Sequence, residues 1–271
     1  MARHRMALAF LVIWALAAIL APLLAPSSPN ATDLSARLQG PSMAHPLGTD
    51  ELGRDVFSRL LFGGRISLAV VASSLLLALT LGTAVGILAG YLGGLADQAA
   101  GRLFDILLAM PGILLAIAIV AFVGRGFGPL ILALSATAWV GYARMARSLA
   151  LSLREREFVA SSKAQGGRLS HILLRHLLPH TVAALSFQAA AGAAGVLLAE
   201  GGLSFLGLGV QPPNPSWGGM LATGCDYLLE APHLALASGT VLFLAVWALN
   251  ALGEILPERA DPRRRTRVDN L

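Results

Sequence analysis

Six apolar stretches restrict the folds open to this chain more than anything else in its sequence. They run approximately from Met6 to Ala25, Ile66 to Leu92, Leu103 to Val123, Pro129 to Met145, Thr181 to Phe205 and Leu234 to Leu252. As helices they are long enough to cross about 30 Å of hydrocarbon; the fourth is the shortest and starts just after "GRGFGP". Charged residues make up 13% of the chain, about half the share of a soluble protein, and the mean hydropathy is +0.70. These features predict an all-α membrane protein with six transmembrane helices.

Sidedness follows from the basic residues. With a cytoplasmic N-terminus, Arg3, Arg5, Arg102, the group from Arg144 to Arg175 and the group from Arg259 to Arg267 lie inside. Only Arg37, Arg54, Arg59, Arg65 and Arg125 lie outside, as the positive-inside rule requires. Both termini are thus expected in the cytoplasm. The first apolar stretch follows Arg3 and Arg5 like a signal peptide, but it exceeds the usual apolar core of one and reads as an uncleaved helix. The net charge of +5 is a topology signal, because no basic segment alternates with base-stacking aromatics; nucleic acid is not an expected partner. A single cysteine, Cys225, excludes an internal disulfide and a cysteine-rich metal site.

Between the first two spans, Asp50 is placed to cap a helix starting near Glu51. Leu52, Val56 and Leu60, with Phe57 and Leu61, give that helix one apolar face along the outer surface. Gly82, Gly86, Gly90 and Gly94 recur every four residues along one helical face and invite close packing, within the subunit or against a second one. "AAAGAAG", with Gly192 and Gly195, leaves the fifth helix almost bare of bulky side chains. Its Glu200 must face protein, water or the outer surface, since a carboxylate in lipid costs about 2 to 4 kcal/mol. Asp105 and Glu254 fall near cytoplasmic ends, in water. Pro111 is expected to kink the third helix, and Trp217 to sit at the outer interface.

The most polar long stretch, "EREFVASSKAQGGRLSHILLRHLLPH", lies between the fourth and fifth spans. Nine charges fall between Arg144 and Arg175. Placing them in hydrocarbon would cost on the order of 20 to 30 kcal/mol, so the segment lies outside the bilayer. Gly166 and Gly167 divide it into two short helices, and Pro179 marks the next bend. A short helix with small residues at Ala160, Ser161, Ser162 and Ala164, held between two spans, suits a groove on another protein; an interfacial linker is the plainer alternative. His171, His176 and His180 are spaced so that two could share a side and a metal, but they read more simply as solvated.

This insert resembles the cytoplasmic loop of binding-protein-dependent ABC importer permeases, with Gly166 at the pattern's glycine and Leu178 and Pro179 at its closing pair. Ala160, Ser161 and Ser162 replace the leading EAA, and His176 stands at the isoleucine position. "HPLGTDELGRDVFSRLLFGGRISL", "RLFDILLAMPGILLA", "REFVASSKAQGG", "SFLGLGVQPPNPSWG" and "ADPR" extend the resemblance in order along nearly the whole chain to the dipeptide, oligopeptide and nickel permease family, in its C-type subunit.

The resemblance implies a type I ABC importer permease fold with a cytoplasmic coupling helix. It further implies a second homologous permease, two ATPases carrying ATP and magnesium, and a periplasmic or lipid-anchored substrate-binding protein, in a bacterial or archaeal inner membrane. By the same resemblance Glu157, Phe158, Val159, Ala160, Ser161, Ser162, Lys163, Ala164, Gln165 and Gly166 form the coupling helix that seats in an ATPase groove.

The expected organisation is an N-terminal helix and outer loop over 1–65, a five-helix core over 66–258 with the coupling loop at 148–180, and a basic tail over 259–271. No catalytic residue, resident cofactor or metal is expected. Lys163, the only lysine, lacks a P-loop around it, and neither H-E-x-x-H nor G-x-S-x-G occurs. A self-sufficient secondary transporter or channel is the alternative; Glu200 is the feature that favours it.

Overall fold

The computed structural model describes the backbone of residues 2–260; 261–271, most of the expected basic tail, lie outside the described residues. Within them the chain is helical: α1 (Ala2–Leu24), α2 (Val56–Leu92), α3 (Gly94–Ala109), α4 (Gly112–Val123), α5 (Phe127–Leu153), α6 (Glu157–Ala164), α7 (Leu169–Phe205), α8 (Trp217–Asp226) and α9 (Pro232–Ala260). Four of them, α1, α2, α7 and α9, are long and apolar enough to cross a membrane, and α3 with α4 makes a fifth, broken candidate. α5 is long enough at 27 residues but is less apolar, so a count of six rests on it.

Several elements differ from the sequence expectation, each for a local reason. The outer amphipathic helix near Glu51 is absent. The helix begins at Val56 and runs without a break into the membrane as α2. Its cap is Asp55, which accepts from the Ser58 amide at 2.7 Å. Asp50 instead folds the preceding loop, accepting from the amides of Leu52 and Arg54 at 2.9 Å and from the Arg54 Nε at 2.6 Å. At Pro111 the expected kink is a full break, with α3 and α4 meeting at 88°. The insert's second short helix and the bend at Pro179 are also absent. α7 runs through Pro179, and a π-helical turn over Ile172–Leu177 precedes it. That wider turn redirects the carbonyls that a proline, lacking N–H, would leave unpaired.

Trp217 is buried rather than interfacial. Its indole donates to the Leu60 carbonyl at 2.9 Å, and Trp14 donates to that of Gly64 at 3.1 Å. The two rings meet tilted at 36°, 5.2 Å between centres, over Gly63 and Gly64. A Cβ on Gly64 would lie 2.8 Å from Trp217, so the bare glycines make the room that joins α1, α2 and α8. At the other end Arg3 meets Glu254 at 3.3 Å, setting the start of α1 beside the last turns of α9.

The α2–α5 joint is the most extensive. Gly82, Gly86 and Gly90 face the carbonyls of Trp139, Ala143 and Arg147, also spaced by four. A Cβ on Gly82 or Gly90 would lie 2.6 or 2.5 Å from them, so the backbones touch, an approach that favours Cα–H···O contacts. Arg147 also grips Asp97 of α3 through Nε at 2.5 Å and Nη2 at 2.8 Å, a two-pronged pair that holds the broken arm against α5.

Candidate functional site: the α6 elbow

α6 has eight residues, too few to be stable alone, so its neighbours and caps hold it. Glu157 stands in the first turn and Lys163 in the last, each with the sign that the helix dipole favours there. The helix ends in a Schellman motif. Gly166 adopts φ +77°, its N–H donates to the Lys163 carbonyl at 3.0 Å, and the Gly167 N–H donates to that of Ser162 at 2.9 Å. Each glycine has its own reason. Gly166 holds a backbone conformation that a Cβ disfavours, and a Cβ on Gly167 would lie 2.7 Å from the Ser162 carbonyl.

Of the expected coupling residues, only Val159 is buried. It belongs to a buried apolar cluster that includes Ile87 of α2, Ala150 of α5 and Ile172 and Leu177 of α7. Burying such a side chain contributes roughly 1.5 to 3 kcal/mol. Two further contacts fix the helix azimuth. The Lys163 ammonium lies 4.8 Å from the centre of the Tyr91 ring at the end of α2. Phe158 packs on His176 and stacks on His180, at 5.7 and 5.6 Å between ring centres. Glu157, Ala160, Ser161, Ala164, Gln165 and Gly166 remain exposed on the outward side, with Ser162 half-buried. α6 thus contributes Val159 to a cluster shared with α2, α5 and α7 and presents small side chains outward.

His171, His176 and His180 do come together, but around Phe158: His171 meets His176 edge-on at 5.5 Å, and His180 bonds the His176 carbonyl at 2.8 Å. Among the described residues no cluster of histidine, cysteine and carboxylate side chains could hold a metal ion. Tyr91 and Ile87 had no signal in the sequence, because they lie about 70 residues before the α6 side chains they join.

The glycines of the small-residue pattern separate. Gly94 opens α3 at φ +54° with open space around it, so it leaves the stripe made by Gly82, Gly86 and Gly90. A Cβ on Gly192 would collide with the Tyr142 hydroxyl, whereas Gly195 has nothing nearby. Glu200 is fully buried, and its carboxylate accepts from Ser67 at 3.1 Å and Ser204 at 2.9 Å. Asp105 pairs with Arg144 in the open, at 2.5 Å.

Comparison with known proteins agrees with this architecture. Residues 82–266 match the family described as binding-protein-dependent transport system inner membrane component, and residues 2–41 match the N-terminal transmembrane domain of oligopeptide transport permease C. The chain is 40% identical over 267 residues to a dipeptide transport system permease protein of Alkalihalophilus pseudofirmus, covering 97% of this chain and 88% of that one. It is 39% identical over 258 residues to the nickel transport system permease protein of Escherichia coli K12, covering 95% and 93%. It is 40% identical over 237 residues to a glutathione transport system permease protein of Pectobacterium atrosepticum, covering 88% and 79%. An inward-facing structure of the methionine ABC transporter MetNI shares the fold, with a TM-score of 0.59, 18% identity and coverage of 75% of this chain and 97% of that one. With its membrane helices and this similarity along nearly its full length, the chain belongs to the binding-protein-dependent transport system inner membrane component family, as a permease of ABC importers.

Proposed function

We propose that the chain is one of two homologous permeases that together line the path of an importer of di- or oligopeptides or of nickel, bare or chelated, and that α6 is the helix seated in a groove of an ATPase subunit. One observation supports the docking above all. α6 buries Val159 among three membrane helices and leaves Ala160, Ser161 and Ala164 facing out, where a groove would need small side chains. In this reading ATP and magnesium stay on two partner ATPases, and this chain carries no hydrolytic residue. An outer binding protein hands over the ligand, the elbow lies in the cytoplasm with both termini, and residues 66–258 form the permease core. Closure of the ATPase pair on ATP would swing α6 and, through its three attachments, re-orient the membrane helices.

The test is co-purification with the ATPase subunits. Ala160→Trp or Ala164→Trp should abolish it while leaving the amount of permease in the membrane unchanged. Wild-type levels of bound ATPase in both variants would overturn the docking assignment.

A further inference from the structure

Between α4, α5 and α7 lies a cavity of about 510 Å³. Its walls are mostly small or aliphatic, among them Ala116 and the bare face of α7 at Gly192 and Gly195. Three polar side chains interrupt them: Thr137, Tyr142 and Gln188. Gln188 stands roughly 15 Å along the helix axis from Leu178 and roughly 25 Å from Phe205, well inside the span. Its carboxamide oxygen is buried and has no hydrogen-bond partner. The Tyr142 hydroxyl sits over Gly192, where any larger residue would displace it. Thr137 already donates to the Leu134 carbonyl at 2.9 Å, which leaves its oxygen free to accept. No aspartate, glutamate, lysine, arginine or histidine lines the cavity.

A buried amide oxygen without a donor is costly in a membrane interior, and a partner that arrives only during transport removes the cost. The size also fits a ligand site, apolar for the most part with a few convergent polar groups. We propose that this cavity is the chain's own share of the ligand path, and that it takes a ligand bearing amide groups through neutral hydrogen bonds with Gln188, Tyr142 and Thr137. This rests on the importer reading above and narrows it. A peptide offers N–H donors to the Thr137 oxygen and, once the helices re-orient, to the Gln188 oxygen that is closed to solvent here, and carbonyls to the Gln188 amide and the Tyr142 hydroxyl. A bare divalent cation would need carboxylate, imidazole or thiolate ligands, and this wall presents none.

The experiment uses the complete transporter with its binding protein, in vesicles, and two probes: a labelled library of di- and tripeptides, and radioactive nickel ion. Gln188→Leu keeps the volume and removes the amide. It should lower peptide uptake about tenfold, as the loss of a hydrogen bond to a bound ligand does, with ATPase co-purification unchanged. Tyr142→Phe should lower uptake by a smaller factor in the same direction. In a Cys225→Ser background, Gln188→Cys should react with a water-soluble thiol reagent at a rate that changes when the ATPases are trapped with vanadate. Peptide uptake that ignores Gln188→Leu, a cysteine at this position closed to the reagent in both states, or a wild-type transporter that carries nickel ion and no peptide would each overturn the inference. ATP-independent uptake by the wild type would instead overturn the importer reading.

Discussion

Single residues set the local geometry of the elbow and the outer end. Gly166, at φ +77° in the Schellman turn, is the cleanest case. Gly166→Ala should cost about 1 kcal/mol or somewhat more, because alanine disfavours that backbone conformation; native-state hydrogen exchange should show the α6 amides opening more readily while α2 is unaffected. Asp50 belongs to a buried network: it bonds Arg54 and also lies 3.3 Å from the Arg59 Nε, with both the Asp50 and Arg54 side chains less than a tenth exposed. Asp50→Ala leaves Arg54 with Glu51 and Arg59 with the Pro29 carbonyl as their remaining partners, and thermal unfolding should report a loss of roughly 1.5 to 3 kcal/mol. Trp217→Phe removes the donor to Leu60 but keeps an aromatic ring, so its cost should be nearer 1 kcal/mol. Of these, Asp50 and Trp217 were visible in the sequence with other roles. Asp50 resembled a helix cap because Asp55, the residue that does cap, repeats the same chemistry five positions later.

At the scale of elements, backbone contact decides which helices move as one. Gly86 lies under the Ala143 carbonyl, and any side chain there must separate α2 from α5. Gly86→Leu should therefore lower the yield of folded protein in the membrane and its thermal midpoint, whereas Gly195→Ala, which meets nothing within 4 Å, should leave both unchanged. The four-residue spacing in the sequence identified a close-packing face, but not the carbonyl row of α5 that fills it. The break between α3 and α4 was legible only as a proline. How far a chain turns at Met110–Pro111 depends on what holds the two arms, here the Arg147–Asp97 pair on one side and the packing of α4 on α5 on the other. The π-helical turn lies just before Pro179, where α7 continues through a residue that cannot donate its N–H.

Across the whole molecule, the ends of α1 and α9 share one side of the bundle, tied by Arg3 and Glu254, both about half exposed. A pair this open contributes little to stability. Sidedness can be read at α6: in a Cys225→Ser background, Lys163→Cys should react with an impermeant thiol reagent only when the cytoplasmic face is opened. Labelling from the outer face would reverse the topology and remove the elbow from any ATPase. The sequence by itself determined that the chain is a helical membrane permease, roughly where its long apolar helices lie, and that a charged insert stands between two of them. Hydropathy and charge act over local windows, and the cost of burying a charge in lipid is large enough to settle such questions. The tertiary structure alone decided which helices the elbow grips, how sharply the third span breaks and which polar side chains meet in a cavity. Those outcomes turn on contacts between residues far apart in the chain, each worth about 1 to 3 kcal/mol, too small and too distant for any local pattern to encode.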